Sequence, residues 1–290
     1  MWRCTFFLQC DLIYEILINQ DKKIVTMKYI IGVDFDNTIV NYDDLIYNVA
    51  VELGFIDRLS YCQSTTGGKA NLETSEQSKR GTISKLISEI QGGRVNYSER
   101  PYQKSPIGGY HEHFDRNNKM SKKHIRDYIR SLEEGDIKWQ KLQAIVYGHL
   151  IKEAKVIDGV YNFFNKCKKR NAKLYILSHK TEFAKYDPTK TCLRKTAMQW
   201  LEVNNFFNKL ESPLTKQHVF FESSRLEKIN RIQNLKCTHF IDDLEEIFKE
   251  KSFPKGVNKI LFDPHGESKD SYEVKKFRNW DDINEYIFGD

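Results

Sequence analysis

The sequence KYIIGVDFDNT, residues 28–38, sets two aspartates directly after a short apolar run. A run of this kind predicts a strand that is buried on both faces, as strands of a parallel sheet are. Ligands of open parallel sheets bind beyond the carboxyl ends of the strands, so we expect Asp34 and Asp36 at a binding edge. Burying unpaired charge is costly, and a hard divalent cation such as Mg²⁺ would compensate it. A calcium loop is excluded because Ile39 stands where that loop needs glycine.

Two more apolar runs predict strands that end in polar residues. Lys173–Leu177 is followed by Ser178, and Thr238–Ile241 is followed by the adjacent acids Asp242 and Asp243. Carboxyl ends of parallel strands meet at one edge of a sheet, so these side chains should gather there with Asp34 and Asp36. Together with a lysine, Lys228, on a predicted helix, they indicate a site for a metal and a phosphoryl group.

Helical and strand patterns alternate along the chain. We predict further strands at His218–Phe221 and Asn258–Phe262, and helices at Asp43–Leu53, Ile83–Ile90, Ser121–Leu132, Trp139–Lys155, Gly159–Lys169, Thr191–Val203 and Leu226–Leu235. Strands that alternate with helices of 10–15 residues imply an α/β fold, a parallel sheet with helices on both faces.

The composition limits the function classes. Of 290 residues, 40% are hydrophobic and 30% charged, and no apolar run reaches the roughly 18 residues that a membrane span needs. The net charge of +6 mildly favours an anionic substrate, but Lys and Arg are interspersed with acids, which argues against a nucleic-acid partner. The six cysteines form no CxxC pair, and the N-terminus lacks the features of a signal peptide, so we expect reduced thiols and a cytoplasmic protein.

The segment Tyr61–Met120 differs from the rest, with only 15 apolar residues in 60. Such a segment buries too little surface to offset its ordering entropy, so we expect a poorly packed insertion. The alternative is a lid over the substrate, since long loops are often functional. Its contacts would be Arg94, Arg100, Lys104 and the pair His111 and His113. That histidine pair could also chelate a metal, although a solvated pair is the favoured interpretation.

The order of motifs resembles that of the haloacid dehalogenase superfamily. DFDNT matches its first motif, LYILSH its second, Lys228 its third and FIDD its fourth, and IRDYIR, WQKLQAIVYG and ILFDPHG are similar to an uncharacterised phosphatase-like subgroup. The resemblance implies a Rossmann-like core with an inserted, mainly helical cap. The implied domains are an N-terminal extension at 1–26, a core at 27–42 and 157–290, and a cap at 43–156 with the insertion at about 61–120.

The resemblance also implies a role for each motif residue. Asp34 would attack phosphorus and Asp36 would act as general acid and base, while Ser178 and Lys228 would stabilise the phosphoryl group. Mg²⁺ would be held by Asp34, the Asp36 backbone carbonyl and Asp242, with Asp243 supporting it. We expect substrate contacts from Thr38, Ser178, His179 and Lys180, although the two residues after Ser178 could equally face solvent at a helix start.

The function implied is Mg²⁺-dependent hydrolysis of a small phosphorylated metabolite, a sugar phosphate or a nucleotide. Asp36 favours this over dehalogenation, because the dehalogenases of the superfamily lack an aspartate there. Two alternatives stay open: a phosphatase acting on polynucleotide ends, and a non-catalytic binding protein on a degenerate phosphatase scaffold. The sequence gives no oligomeric state.

Overall fold

The structure, a computed structural model, describes residues 29–56, 83–85, 87, 121–268 and 273–289. In these ranges the elements are β1 (Ile30–Val33), β2 (Val40–Asn41), α1 (Asp43–Glu52), α2 (Lys122–Ser131), α3 (Gly135–Ala144), a π-helix (Ile145–His149), a 3₁₀ turn (Ile151–Glu153), β3 (Lys155–Val156), α4 (Val160–Lys169), β4 (Lys173–His179), α5 (Leu193–Val203), a second 3₁₀ turn (Lys216–His218), β5 (Val219–Glu222), α6 (Arg225–Asn234), β6 (His239–Asp242), α7 (Glu245–Phe248), β7 (Asn258–Phe262), β8 (Lys275–Phe277) and α8 (Trp280–Phe288).

Six strands form one parallel sheet in the order β5-β4-β1-β6-β7-β8. The central strand β1 pairs with β4 on one side and with β6 on the other, so Val33 is level with both Ile176 and Ile241. This order brings the ends of three strands that carry predicted site residues side by side. The α/β fold expected from the sequence is therefore confirmed.

Each face of the sheet is covered by helices. Alternate strand residues such as Val33 and Ile176 pack with α4, α5 and α8 in one buried cluster. The residues between them, such as Leu177 and Phe240, pack with α6 and α7 in a second cluster. Gly32 in β1 allows this second layer to approach closely, because a Cβ atom there would lie 2.8 Å from Phe240 Cδ2.

Helices α1, α2 and α3 lie between β2 and β3 in the sequence and pack against one another. Strands β2 and β3 form a two-stranded antiparallel pair. The division into a core and a cap with the predicted bounds stays a prediction. Most of Tyr61–Met120 lies outside the described residues, including the histidine pair and the predicted lid contacts Arg94, Arg100 and Lys104; within it, Ile83–Lys85 and Ile87 are helical. None of the helices in the described ranges combines the length and the apolar character that crossing a bilayer requires.

One predicted helix is wrong in extent. The sequence predicts one helix over Trp139–Lys155. In the structure, α3 begins at Gly135 and ends at Ala144, and the π-helix follows it directly. The 3₁₀ turn and β3 follow, because the chain must return to pair with β2. Gly148 lies in the π-helix, where a Cβ atom would come within 3.3 Å of Leu193.

Strand β8 and helix α8 were not predicted from the sequence, and α8 supports the first motif directly. Trp280 is fully buried, and its indole N–H donates to the backbone oxygen of Thr38 at 3.1 Å. Its ring packs against Phe163 and Phe262, with centroids 4.9 and 5.8 Å away. The C-terminal helix therefore holds the loop that follows β1.

Replacing Trp280 with alanine should destabilise the protein by about 3–5 kcal/mol, because it removes a large buried side chain and leaves a cavity. Trp280→Phe should cost less, since it keeps a ring and loses the hydrogen bond to Thr38. Glu285→Ala, at an exposed position of the same helix, should stay within about 0.5 kcal/mol of the wild type. Urea unfolding of the three variants measures these differences, and equal losses at Trp280 and Glu285 would contradict this role of Trp280.

Candidate active site

A buried lysine joins two of the predicted site carboxylates. Lys228, from α6, donates to Asp34 Oδ1 at 2.5 Å and to Asp242 Oδ2 at 2.6 Å. Asp34 follows β1 directly, and its backbone N–H donates to Ile241 of β6 at 2.8 Å. The lysine and both aspartates are at most 5% exposed. Three of the four motifs therefore meet at one point of the sheet edge.

Asp34, Asp242 and Asp243 form a group that could hold a metal ion. One oxygen from each lies within 4.8 Å of the others. Oxygens that share one Mg²⁺ lie about 3–4 Å apart, since each is about 2.1 Å from the ion. Small side-chain shifts would bring the three carboxylates onto one cation, and an all-oxygen donor set of this kind suits Mg²⁺. The residues present therefore fit the cofactor that the sequence predicts.

Burial sets the charge state of these acids. Desolvation, together with the negative charge of Asp242, raises the pKa of Asp34 to about 6 against the attraction of Lys228. The pKa of Asp243 is also raised to about 6 by burial, and that of Asp242 is raised for the same reason. Burial alone would lower the pKa of Lys228, but its two carboxylate partners outweigh this effect and raise it. A divalent cation would stabilise the ionised carboxylates.

Asp36 lies in a separate set of contacts. Lys180 Nζ lies 3.0 Å from Asp36 Oδ1 and 2.8 Å from Oδ2, and the Tyr42 hydroxyl donates to Oδ1 at 2.9 Å. The sequence expectation for Lys180 was a contact to the substrate. The structure places its ammonium on the second carboxylate of the first motif, and the substrate contact stays a prediction.

The loop after Asp36 turns back sharply. Asn37 has a positive φ of 56°, a region that asparagine tolerates better than most residues, and the N–H groups of Ile39 and Val40 both donate to the Phe35 carbonyl. Thr38 is fully buried. Within the described part of the chain, the side-chain polar atoms of Asn37 and Thr38 have no hydrogen-bond partner. The predicted substrate contact of Thr38 stays a prediction.

The two remaining predicted residues lie on opposite sides of β4. Ser178 is buried at the sheet edge, with Lys180 two positions further on. His179 is exposed, and its Nε2 donates to the backbone oxygen of Ser223 at 3.1 Å. The structure therefore groups Ser178 with Asp34, Asp36, Lys228, Asp242 and Asp243 at the carboxyl edge and directs His179 to the loop before α6.

Three residues near the site were not predicted as site residues from the sequence. Lys122 of α2 lies 3.6 Å from Asp243, and Tyr42 and Tyr147 line the surroundings of Asp36 and Lys180. For Lys122 no local pattern was available, since the contact joins residues far apart in the chain. Tyr42 lies four positions after Thr38, but its direction depends on the turn at Asn37.

A cavity of about 420 Å³ opens beside Asp243. It is lined by Asn37 of the first motif, by Lys122 and Arg126 of α2, and by His265 after β7, among others. The volume lies within the roughly 300–1,000 Å³ typical of small-molecule sites. The carboxylate group therefore has space for a small ligand next to it.

No protein-family model matches the chain, and no curated protein matches it in sequence. Solved structures that it resembles include a HAD-superfamily hydrolase from Ehrlichia chaffeensis, at 13% identity and a TM-score of 0.39, covering 89% of this chain and 95% of that one. A second is YfnB, a HAD-type protein of Bacillus subtilis in a structure bound to magnesium, at 13% identity and a TM-score of 0.41, covering 90% and 99%. A third is a haloacid dehalogenase-like family hydrolase from Xanthomonas campestris, at 11% identity and a TM-score of 0.39, covering 89% and 94%. At these identities the likeness concerns the fold alone.

Mg²⁺ should raise the melting temperature more at about pH 7.5 than at about pH 5, because ligands must be ionised to bind a metal. In the metal-free protein, Asp34 and Asp243 have a pKa of about 6 against an ordinary value of 3.8. The folded state therefore holds protons that the unfolded chain has lost, and its stability falls as the pH rises through this window. Thermal unfolding with EDTA or with Mg²⁺ measures both effects.

Asp242→Asn should weaken the Mg²⁺-induced shift at neutral pH. The matched control is Glu133→Gln at an exposed position, which should keep the full shift. A shift that survives in Asp242→Asn at wild-type size and at the same Mg²⁺ concentration would contradict a metal site at this carboxylate group.

Proposed function

We propose that the protein is a Mg²⁺-dependent phosphomonoester hydrolase that acts through a covalent phosphoryl intermediate on Asp34. The observation that carries this proposal is the meeting of Asp34, Asp242 and Lys228 at one buried point of the sheet edge, with Asp243 and Asp36 beside it. A buried nucleophilic carboxylate, a possible cation site and a fixed ammonium are what phosphoryl transfer requires.

Asp34 is the nucleophile in this proposal. One of its oxygens forms a bond to phosphorus while the bond from phosphorus to the ester oxygen breaks, and the electron pair of that bond leaves with the ester oxygen. A magnesium ion bound by the three carboxylates would neutralise charge, so that an anionic carboxylate and an anionic phosphate could approach each other. Lys228 is already within hydrogen-bond distance of Asp34 and offsets charge on the phosphoryl group.

Asp36 handles the proton in both steps. It first gives a proton to the departing ester oxygen, and it then takes a proton from the water that attacks the phosphorus of the intermediate. The second attack breaks the bond to Asp34 and restores its carboxylate, with inorganic phosphate as the product. Ser178 is proposed to donate a hydrogen bond to a phosphoryl oxygen from the end of β4.

The substrate is proposed to be small, a sugar phosphate or a nucleotide. The cavity of about 420 Å³ supports this size and lies next to Asp243, so a leaving group could occupy it while phosphorus faces Asp34. Its lining carries charges of both signs, with cationic residues such as Lys122 and Arg126 and six acidic residues, Asp243 among them, together with neutral polar groups such as Asn37. A lining of both charges with neutral polar groups is suited to a hydroxylated leaving group, which offers hydrogen-bond donors and acceptors.

Purified wild-type protein should release phosphate from an aryl phosphate when Mg²⁺ is present and stop when EDTA is added. Asp34→Asn should abolish turnover and the phosphoenzyme, because the nucleophile is lost. Asp36→Asn should lower kcat by at least about 10²-fold, the lower end for general acid–base catalysis. Asp136→Asn serves as the control, since that carboxylate is exposed and pairs with Arg130.

A panel of sugar phosphates, nucleotides and end-phosphorylated oligonucleotides then compares the small-substrate proposal with its alternatives. Faster turnover of the oligonucleotides would contradict the small-substrate proposal and favour a phosphatase that acts on polynucleotide ends. A folded wild-type protein without turnover of any donor would favour a binding protein, and wild-type turnover in Asp34→Asn would require another nucleophile.

A further inference from the structure

Both backbone polar groups of Lys180 form hydrogen bonds that fix its position. Its N–H donates to the Glu222 carbonyl at 2.9 Å, and its own carbonyl accepts from Arg194 Nε at 2.9 Å. Arg194 also donates to Ser223 Oγ at 2.7 Å. These contacts tie the chain beyond β4 to the end of β5 and to α5, so the starting point of the lysine side chain is fixed.

The Lys180 side chain runs inward between two aromatic rings. It is 3% exposed, and its Nζ lies 5.4 Å from the Phe35 ring centroid and 5.2 Å from that of Tyr147. Tyr147 belongs to the π-helix and packs edge-on against Tyr42 at 4.7 Å. The rings attract the ammonium through cation–π interactions and shield it from solvent.

The ammonium and the Tyr42 hydroxyl converge on one carboxylate. Lys180 lies within hydrogen-bond distance of both oxygens of Asp36, and Tyr42 donates to Oδ1. The three side chains come from three segments: the first-motif loop, the residue before α1 and the residue after β4. A carboxylate with these partners has one defined orientation.

We infer that Lys180 and Tyr42 are positioning residues that hold the Asp36 carboxylate in its orientation for proton transfer, and that Lys180 does not bind the substrate. This inference rests on the proposed function. A buried ammonium directed at both oxygens of Asp36 and flanked by two rings has little surface left for a phosphate oxygen. Proton transfer depends on placement within hydrogen-bond reach, and a misplacement of about 1 Å can cost about 10²-fold in rate.

The test compares Lys180→Met with the wild type on an aryl phosphate. Methionine keeps the length and apolar packing of the side chain and removes the ammonium. We expect kcat to fall by about 10- to 10²-fold while KM stays within about twofold, because the group acts on the chemical step. Lys185→Met, at an exposed position of the same loop, is the matched control and should behave as wild type.

The second arm places Lys180→Met in the Asp36→Asn background. If Lys180 acts through Asp36, the added substitution should lower kcat by less than about twofold, a strongly non-additive result. Tyr42→Phe, which keeps the ring packing and loses only the hydroxyl, provides an independent test if Lys180→Met does not fold. It should lower kcat without raising KM, and it too should have little effect in the Asp36→Asn background.

Each other outcome overturns the inference in a distinct way. A rise in KM of more than about fivefold with kcat unchanged would make Lys180 a substrate contact, as the sequence analysis expected. A full additional loss in the Asp36→Asn background would mean that Lys180 acts independently of Asp36. Unchanged kinetics in folded Lys180→Met or Tyr42→Phe would remove that residue from the positioning role. A folded wild-type protein that turns over no phosphate donor overturns the proposed function first, and this inference with it.

Discussion

The ammonium of Lys228, held between Asp34 and Asp242, is the interaction on which the carboxyl edge of the sheet depends. Three acids lie close together there, and burial disfavours their charged forms. A buried ion pair repays its desolvation cost only when its geometry is good, and here one ammonium contacts two carboxylates at 2.5 and 2.6 Å. The strand order makes this possible, since β1 and β6 are neighbours and α6 packs against the same face.

Much of the sheet could be predicted because its strands are buried on both faces. Asn258–Phe262 was predicted with its observed bounds, and β1, β4 and β6 differ from their predictions by one or two residues at either end. Helix α8 also has a readable pattern: Asn279 caps it, and its buried residues recur at helical spacing. The break after Ala144 was not readable, because its only local sign is Gly148 and its cause is the pairing of β3 with β2.

The site residues follow the alternation of an extended chain. Asp34 and Asp36 lie on one side of the chain after β1, while Phe35 between them packs against Trp200 and Phe221. At the end of β4 the same rule places Ser178 and Lys180 on the buried side and His179 on the exposed side. In an extended chain His179 and Lys180 therefore point to opposite sides, whereas at a helix start both could face solvent. What the alternation cannot give is the partner that each inward side chain meets, because Tyr147 comes from a distant helix and the direction of Tyr42 depends on the turn at Asn37.

The two first-motif carboxylates have different supports, and this matters for the proposed reaction. Asp34 is bound by Lys228 and by the backbone of β6, all within the sheet and the helix packed on it. Asp36 is bound by Tyr42, and its lysine partner lies against Tyr147 of the π-helix. The segment that contains α1 to α3 therefore contacts the Asp36 side of the site through its tyrosines, and Asp243 through Lys122. The Asp34–Lys228–Asp242 contacts involve no residue of that segment, so the proposed nucleophile and the proposed proton donor are held by different parts of the chain.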